Sequence, residues 1–305
     1  MPDTMVTAQP DLSTALHPTG VFSAACTPMR ADLTPDHAAF VEHCRHLLAN
    51  GCDGVAMLGT TGEANSFSGA ERKALLESAV TGGIAPDKLL PGTGVTALTE
   101  TVDLTKHALS MGVTTVVMLP PFYYKGIGDD GLFASYAAIV DRVADPRLRV
   151  VLYHIPMFSA VPIPIPVIAR LRDAFPGVFV GLKDSSGDLA NMKALVDAFP
   201  GFAVLAGADP LLLPLLQAGG AGCITAASNL VSADLAVIYR HHADPAQADA
   251  VQAAHGRAVA MRNRVSQFAQ LASIKALLAE RTGNPDWATV RPPLLPLTEV
   301  ERSKL

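Results

Sequence analysis

From about residue 21 onward, short apolar runs rich in Val, Leu and Ala alternate with longer stretches whose apolar positions recur at helical spacing. A short unbroken apolar run suits a strand buried on both faces, and a stretch of 3.6-residue period suits a helix laid over it. Repeated, the two build a parallel sheet. The candidate strands are 21–26, 54–58, 89–92, 114–119, 149–153, 178–182, 202–206 and 222–225. The candidate helices are 34–49, 69–81, 97–111, 131–143, 166–175, 188–199, 209–218 and 232–241. Regular strand-helix units of this number, without a dinucleotide fingerprint, predict an α/β fold of the closed kind, a TIM (β/α)8 barrel, over a doubly wound open sheet.

The punctuation of these elements agrees with that pattern. Thr34-Pro35 reads as an N-cap followed by a first-turn proline, and Asn50-Gly51, Met111-Gly112 and Gly219-Gly220 read as helix stops. Residues 245–280 read as further helices, and the proline-rich segment 291–297 as a surface stretch. The expected organisation is a frayed tail at 1–19, a barrel core at 20–231, and at 232–305 the last barrel helix with a C-terminal helical extension.

Composition narrows the partner class. A chain of 305 residues that is 50% hydrophobic holds enough apolar surface for one large barrel core. The formal net charge of -5 and the lack of a clustered basic block argue against nucleic acid and for a small-molecule partner. Cys26, Cys44, Cys52 and Cys223 are scattered without disulfide or zinc spacing and read as reduced, mostly buried thiols. Met1 to Thr19 lacks the charged start and apolar middle of a signal peptide, and no apolar run has the length of a membrane span, so a cytoplasmic, membrane-free protein is expected. His43, His46, His241, His242 and His255 have no metal-ligand spacing and read as surface or packing residues. No metal is expected.

In a barrel of this kind the chemistry sits where strands end at their carboxyl side. Four ends stand out: Gly59-Thr60-Thr61-Gly62-Glu63, Pro120-Pro121-Phe122-Tyr123-Tyr124, Tyr153-His154-Ile155-Pro156, and Gly181-Leu182-Lys183-Asp184-Ser185-Ser186-Gly187. Lys183 closes an apolar run, whereas most other lysines lie in helix or turn contexts. Desolvation there favours the free amine, a nucleophile for a ketone. A plain rim pair with Asp184 is the competing reading. Tyr153 ends the preceding strand, so its phenol should lie beside Lys183 as an acid/base, unless it is only an aromatic core residue. The Thr60-Thr61 turn offers backbone N–H groups and two hydroxyls to a carboxylate; alternatively it is ordinary loop geometry with Glu63 as a rim charge.

Together these ends resemble the dihydrodipicolinate synthase and N-acetylneuraminate lyase family of pyruvate-type class I aldolases, over nearly the whole chain from about Gly20 to Leu297. The motifs Gly59-Thr60-Thr61-Gly62-Glu63, Tyr153-x-Ile155-Pro156 and Gly181-x-Lys183 occur in family order and spacing. The resemblance implies that Lys183 is the Schiff-base lysine, Tyr153 the acid/base, and Thr60 with Thr61 and Gly62 the carboxylate pocket. It further implies a proton relay from Tyr153 through Thr60 to Tyr123, a tyrosine lent across a dimer interface of a homotetramer. Gly207 and Ile224 match positions lining the pocket, and Asp209 matches an acidic position near the distal end of the substrate. The covalent imine with Lys183 is the expected chemistry, with no other cofactor.

Two departures bear on the substrate. Phe158 stands where dihydrodipicolinate synthases carry an arginine that clamps a second carboxylate, and Met157 replaces a usual serine. His154 replaces the usual asparagine after the tyrosine. Lys183-Asp184-Ser185-Ser186-Gly187 resembles the branches that cleave or dehydrate hydroxylated 2-oxo acids, with Ser185, Ser186 and Asp209 as hydroxyl ligands. The expectation is a lyase that cleaves, condenses or dehydrates such an acid, with pyruvate as product or co-substrate. The alternatives are 4-hydroxy-tetrahydrodipicolinate synthase proper, an aromatic hydratase-aldolase favoured by the apolar wall of Met157 and Phe158, and a non-catalytic 2-oxo acid sensor.

Overall fold

The computed structural model describes residues 18–305, so nearly all of the expected tail at 1–19 lies outside the described residues. Parallel strands β1 (Gly20–Ala24), β2 (Gly54–Ala56), β3 (Thr115–Met118), β4 (Arg149–His154), β5 (Phe179–Asp184), β6 (Ala203–Ala206) and β7 (Gly222–Thr225) form one sheet in the order β2-β1-β7-β6-β5-β4-β3. The eighth expected strand, 89–92, fills the gap between β2 and β3 through single bridges, Val55 to Leu89 and Gly92 to Val117. Leu90 and Gly92 donate to the carbonyls of Val55 and Met57, and Val117 donates to that of Pro91. Pro91 has no N–H to extend the ladder toward β3, which is why the closing segment pairs too sparsely to count as a full strand. The curved sheet is a TIM-type barrel closed by this segment.

Around it lie α1 (His37–Ala49), α2 (Gly69–Thr81), α3 (Leu98–Ser110), α4 (Asp129–Val143), the short α5 (Pro156–Ser159), α6 (Ile165–Ala174), α7 (Leu189–Ala198), α8 (Leu212–Gln217) and α9 (Ser228–His241). The N-cap of α1 is Asp36, whose carboxylate accepts from Ala39 N–H, and not Thr34 as the sequence suggested. Thr34 is held back by Asp32, which accepts from both its N–H and its hydroxyl, so the helix starts after the turn. Helix α9 begins at Ser228, earlier than the expected 232, because Val231 (φ -130, ψ 32) kinks it there and leaves a first turn over the barrel.

Alternation along the strands splits the apolar residues into two layers. Phe22, Ala56, Leu90, Val151, Leu205 and Ile224 point inward and fill the barrel, while the larger outer cluster packs strands against helices. The C-terminal extension, α10 (Ala248–Val265), α11 (Gln270–Thr282) and α12 (Glu299–Lys304), adds a third cluster in which Ile274, Leu278 and Trp287 pack on Cys26 and Leu230. All four cysteines are free and buried, and burial pushes Cys26, Cys44 and Cys52 up to about 12, which leaves them as inert packing thiols. Segment 291–297 runs largely over the surface, but Arg291 itself is anchored. Among the described residues no helix is long and apolar enough to cross a membrane.

Candidate active site

Tyr153 on β4 and Lys183 on β5 are direct register partners, so both side chains project to the same side of the sheet. They enter the carboxyl end of the barrel, and the Lys183 ammonium sits 4.1 Å from the centre of the Tyr153 ring. Both are almost fully buried. Among the described residues Lys183 forms no ion pair. Asp184, its sequence neighbour, points away and accepts instead from Ser186 N–H (2.8 Å), the Ser186 hydroxyl (2.6 Å) and the Asn191 amide (2.7 Å). The rim pairing is therefore absent, and the lysine stays available to a ligand.

Local backbone explains how Lys183 reaches this position. The β4–β5 register shifts so that Val150 pairs with Phe179 and Val151 with Gly181, which makes Val180 an extra residue and resets the alternation beyond it. Gly181 is required at the close approach to β6, because a Cβ there would stand 2.6 Å from the carbonyl oxygen of Ala203.

The turn after β2 completes the group. Glu63 N–H donates to Thr60 O (3.1 Å), closing the turn Thr60-Thr61-Gly62-Glu63, and the Thr27 hydroxyl donates to Gly62 O at 2.9 Å. The Thr60 hydroxyl thereby comes to 3.2 Å from the Tyr153 hydroxyl. Burial pushes the Tyr153 phenol up, but the nearby Lys183 charge and hydrogen bonds with Thr60, Lys183 and Ser185 together hold it below the ordinary tyrosine value. Such a phenol gives up its proton more readily than a free tyrosine. A small cavity lined by Gly59, Thr60, Asn65, Leu119 and Tyr153 opens on this side.

Glu63 is not a rim charge. It is buried with φ 56, in the left-handed region, and its carboxylate accepts from Lys275 on α11 at 2.7 Å, with both side chains wholly buried. Its second oxygen accepts from Arg291 N–H at 3.2 Å. The Arg291 guanidinium then binds the carbonyls of Leu33 and Ser66 and the carboxylate of Glu71. Sequence reasoning left Lys275 unremarked and took Arg291 only as the start of a surface segment. The available signal was a lone lysine amid the apolar residues Ile274, Ala276, Leu277 and Leu278, a position that demands a buried anion.

The remaining candidates divide. Thr61 and Gly62 lie in the same turn. Ser185 reaches Tyr153, and Gly207 packs directly on it: a Cβ at Gly207 would meet the Ser185 hydroxyl at 2.1 Å. Ile224 is in the interior layer under the site and packs in the same cluster as Tyr153. Asp209 follows the carboxyl end of β6. It is 0% exposed and turned toward α10, where Arg262 Nη1 is 3.7 Å from its carboxylate, and burial raises it above the usual carboxylate range. The Ser186 hydroxyl is spent on Asp184. Tyr123 is 72% exposed, edge-on to Tyr124, and within the chain no hydrogen bond joins it to Thr60. Met157 and Phe158 on α5 are also exposed, and Lys125 ties their turn to the Tyr123 loop by donating to Ser159 O at 2.9 Å. His154 accepts from Ile163 N–H at 3.1 Å through Nδ1, and burial holds the ring below the usual imidazole range, so it fixes the far end of the α5 loop as a neutral side chain.

Comparison with known proteins agrees with the barrel fold. A family model described as the dihydrodipicolinate synthetase family matches residues 17–305. An uncharacterized DapA-like lyase of Chloroflexus aurantiacus is 38% identical over 293 residues, covering 94% of this chain and 95% of that one. The 4-hydroxy-tetrahydrodipicolinate synthase of Bacillus subtilis is 31% identical over 261 residues, 85% of this chain and 87% of its own. Among solved structures, dihydrodipicolinate synthase from Agrobacterium tumefaciens superposes with a TM-score of 0.84 at 30% identity, covering 94% and 96% of the two chains. YagE, a prophage protein of the dihydrodipicolinic acid synthase family from E. coli K12 solved in complex with pyruvate, gives 0.85 at 25% identity, covering 94% and 95%.

Proposed function

The chain belongs to the dihydrodipicolinate synthetase family, whose members are lyases and aldolases, and on that premise we propose that it forms a Schiff base through Lys183 and acts on a hydroxylated 2-oxo acid, with pyruvate as product or co-substrate. One observation carries the reading: a buried lysine without an ion pair lies 4.1 Å from the ring of a tyrosine whose acidity is enhanced, and that tyrosine touches a threonine hydroxyl.

The substrate carboxylate binds in the turn of Thr60, Thr61 and Gly62. The Lys183 amine attacks the 2-oxo carbon, Tyr153 carries the protons that turn the carbinolamine into an imine, and water leaves. Tyr153 as phenolate then takes the proton of the 4-hydroxyl. The C3–C4 bond breaks, its electron pair moves through C3 toward the imine nitrogen as an enamine, and an aldehyde departs. The enamine is reprotonated at C3 and hydrolysis releases pyruvate and free Lys183. Dehydration shares the imine but loses hydroxide from C4 after a proton leaves C3. The covalent imine is the electron sink in both. Tyr123 completes the relay from the neighbouring subunit of a homotetramer, a role that its exposure in the single chain leaves open to it.

The far end of the site favours an apolar C4 substituent over a polyhydroxylated one. The Ser186 hydroxyl is engaged by Asp184 and Asp209 is wholly buried beside Arg262, while Met157 and Phe158 are 70% and 68% exposed beside the mouth. Lysine biosynthesis is disfavoured, since a phenyl ring cannot clamp a carboxylate.

Incubation with pyruvate and borohydride, followed by peptide mass mapping, tests the proposal. A reduced adduct confined to the Lys183 peptide and lost in Lys183→Ala is expected. A folded protein without an adduct overturns it and leaves the non-catalytic sensor reading.

A further inference from the structure

The site hangs from the C-terminal extension by one fully buried contact. The turn Thr60-Thr61-Gly62-Glu63 has two ends. At the first, the Thr60 hydroxyl meets the Tyr153 hydroxyl at 3.2 Å. At the last, the Glu63 carboxylate meets Lys275 at 2.7 Å, and both side chains are wholly shielded from solvent. A carboxylate and an ammonium buried together gain little net stability over an apolar pair of the same shape, because both lose hydration. What such a pair provides is a fixed register, since any other placement strands a charge. Here the placement also holds Glu63 in the left-handed backbone region at φ 56, an unfavourable conformation for a residue with a side chain. Its N–H closes the turn onto Thr60 O at 3.1 Å, and Arg291 N–H takes its second carboxylate oxygen at 3.2 Å.

We propose that Glu63 and Lys275 are positioning residues that hold the Thr60 hydroxyl on Tyr153, so that α11 sets the efficiency of proton transfer in the barrel. The proposal rests on the Schiff-base reading. It separates two readings: the extent of imine reached at saturating pyruvate depends on Lys183 and a bound carboxylate, with Tyr153 setting only how fast it is reached, whereas the rate of C3 proton removal from the pyruvate imine depends on Tyr153 with its Thr60 partner in place. Neither Glu63 nor Lys275 touches the reacting atoms in this scheme.

Pyruvate alone is a sufficient probe. Glu63→Gln combined with Lys275→Met removes both charges at nearly constant volume, and Glu63→Asp keeps the charges but draws the carboxylate back by about one carbon–carbon bond. For each, borohydride trapping at saturating pyruvate measures imine formation, and exchange of the pyruvate methyl protons with solvent deuterium, followed by proton NMR, measures proton transfer. The expected result is trapping at the wild-type extent with exchange slowed at least tenfold in both variants. Exchange within twofold of wild type, or a loss of trapping that parallels the loss of exchange, overturns the proposal. If the double variant does not fold, Glu63→Asp decides by the same two readings. Failure of the wild type itself to be trapped by pyruvate refutes the underlying Schiff-base reading instead, so the two failures are distinguishable.

Discussion

The hydroxyl of Thr60 lies 3.2 Å from the hydroxyl of Tyr153, from which it is separated by 93 positions in sequence. Thr60→Val keeps the shape of the side chain but removes its hydroxyl, and with it both that contact and one donor to the substrate carboxylate, so the comparison is made at saturating pyruvate. If Thr60 relays the proton, the variant still forms the reduced pyruvate adduct, while methyl-proton exchange falls by roughly 10²-fold or more, in the range typical of acid–base groups. Equal exchange in the two proteins would assign Thr60 to packing alone.

The Lys183 charge is the first influence that counters the effect of burial on Tyr153. Lys183→Ala removes that charge and leaves the burial, so the phenol should titrate higher than in the wild type. The sign follows from the charged form: phenolate is stabilised by a neighbouring cation and penalised by an apolar surround. Ultraviolet difference titration, with Tyr153→Phe subtracted to isolate this tyrosine, reads the change directly. A Tyr153 that titrates at the same pH in both proteins would remove electrostatic coupling from the mechanism.

Strand ends were legible in the sequence because a lysine or tyrosine terminating an apolar run has few structural excuses. That reading located Lys183, Tyr153 and the Thr60 turn on one face of the barrel. The alternation of apolar runs also gave the barrel, with 89–92 recognisable by composition although Pro91 thins its hydrogen bonding. What sequence could not supply was direction. Asp209 sits just after a strand end, as a ligand would, and is wholly buried with Arg262 of α10 at 3.7 Å, a partner that nothing in its sequence neighbours announces. Glu63 similarly reads as a loop charge until Lys275, 212 positions later, is brought against it.

Gly181 tests how tightly the Lys183 strand is built. A Cβ at this position meets the Ala203 carbonyl at 2.6 Å, which only a shift between β5 and β6 can relieve. Gly181→Ala should cost about 1–3 kcal/mol in urea denaturation, the usual range for overpacking. Pyruvate trapping should weaken with it, since Lys183 follows two residues later on the displaced strand. A variant as stable and as readily trapped as the wild type would show that the strands have slack here.

Removing one member of the buried Glu63–Lys275 pair should be far worse for stability than removing both. Lys275→Met strands a carboxylate that is fully buried, with an expected loss of about 3–5 kcal/mol. Glu63→Gln with Lys275→Met replaces the pair by neutral groups and should recover most of that loss. Chemical denaturation of the single and double variants forms a double-mutant cycle; additive losses would mean that the two charges do not interact.

His43 gives the fold a sensitivity to acid. Its Nε2 is 2.8 Å from the Asn229 Oδ1, its ring stacks edge-on against Trp287 at 4.9 Å, and burial pushes it down to about 4 from an ordinary value of 6.5. Above pH 6.5 the ring is neutral in both folded and unfolded chains and adds no pH dependence. Between 6.5 and about 4 the unfolded chain takes up a proton that the native one refuses, so stability falls as the pH is lowered, by about 3 kcal/mol in all. His154, also held low by burial, acts in the same direction. Because Asn229 Oδ1 also accepts from Cys26 N–H and its amide donates to Ala24 O, loss of this contact loosens α9 at the end of β1. His43→Gln keeps a partner for Asn229 but cannot titrate. Urea midpoints measured from pH 7 to pH 4 should therefore fall less steeply in His43→Gln than in the wild type, and parallel slopes would place the acid sensitivity elsewhere.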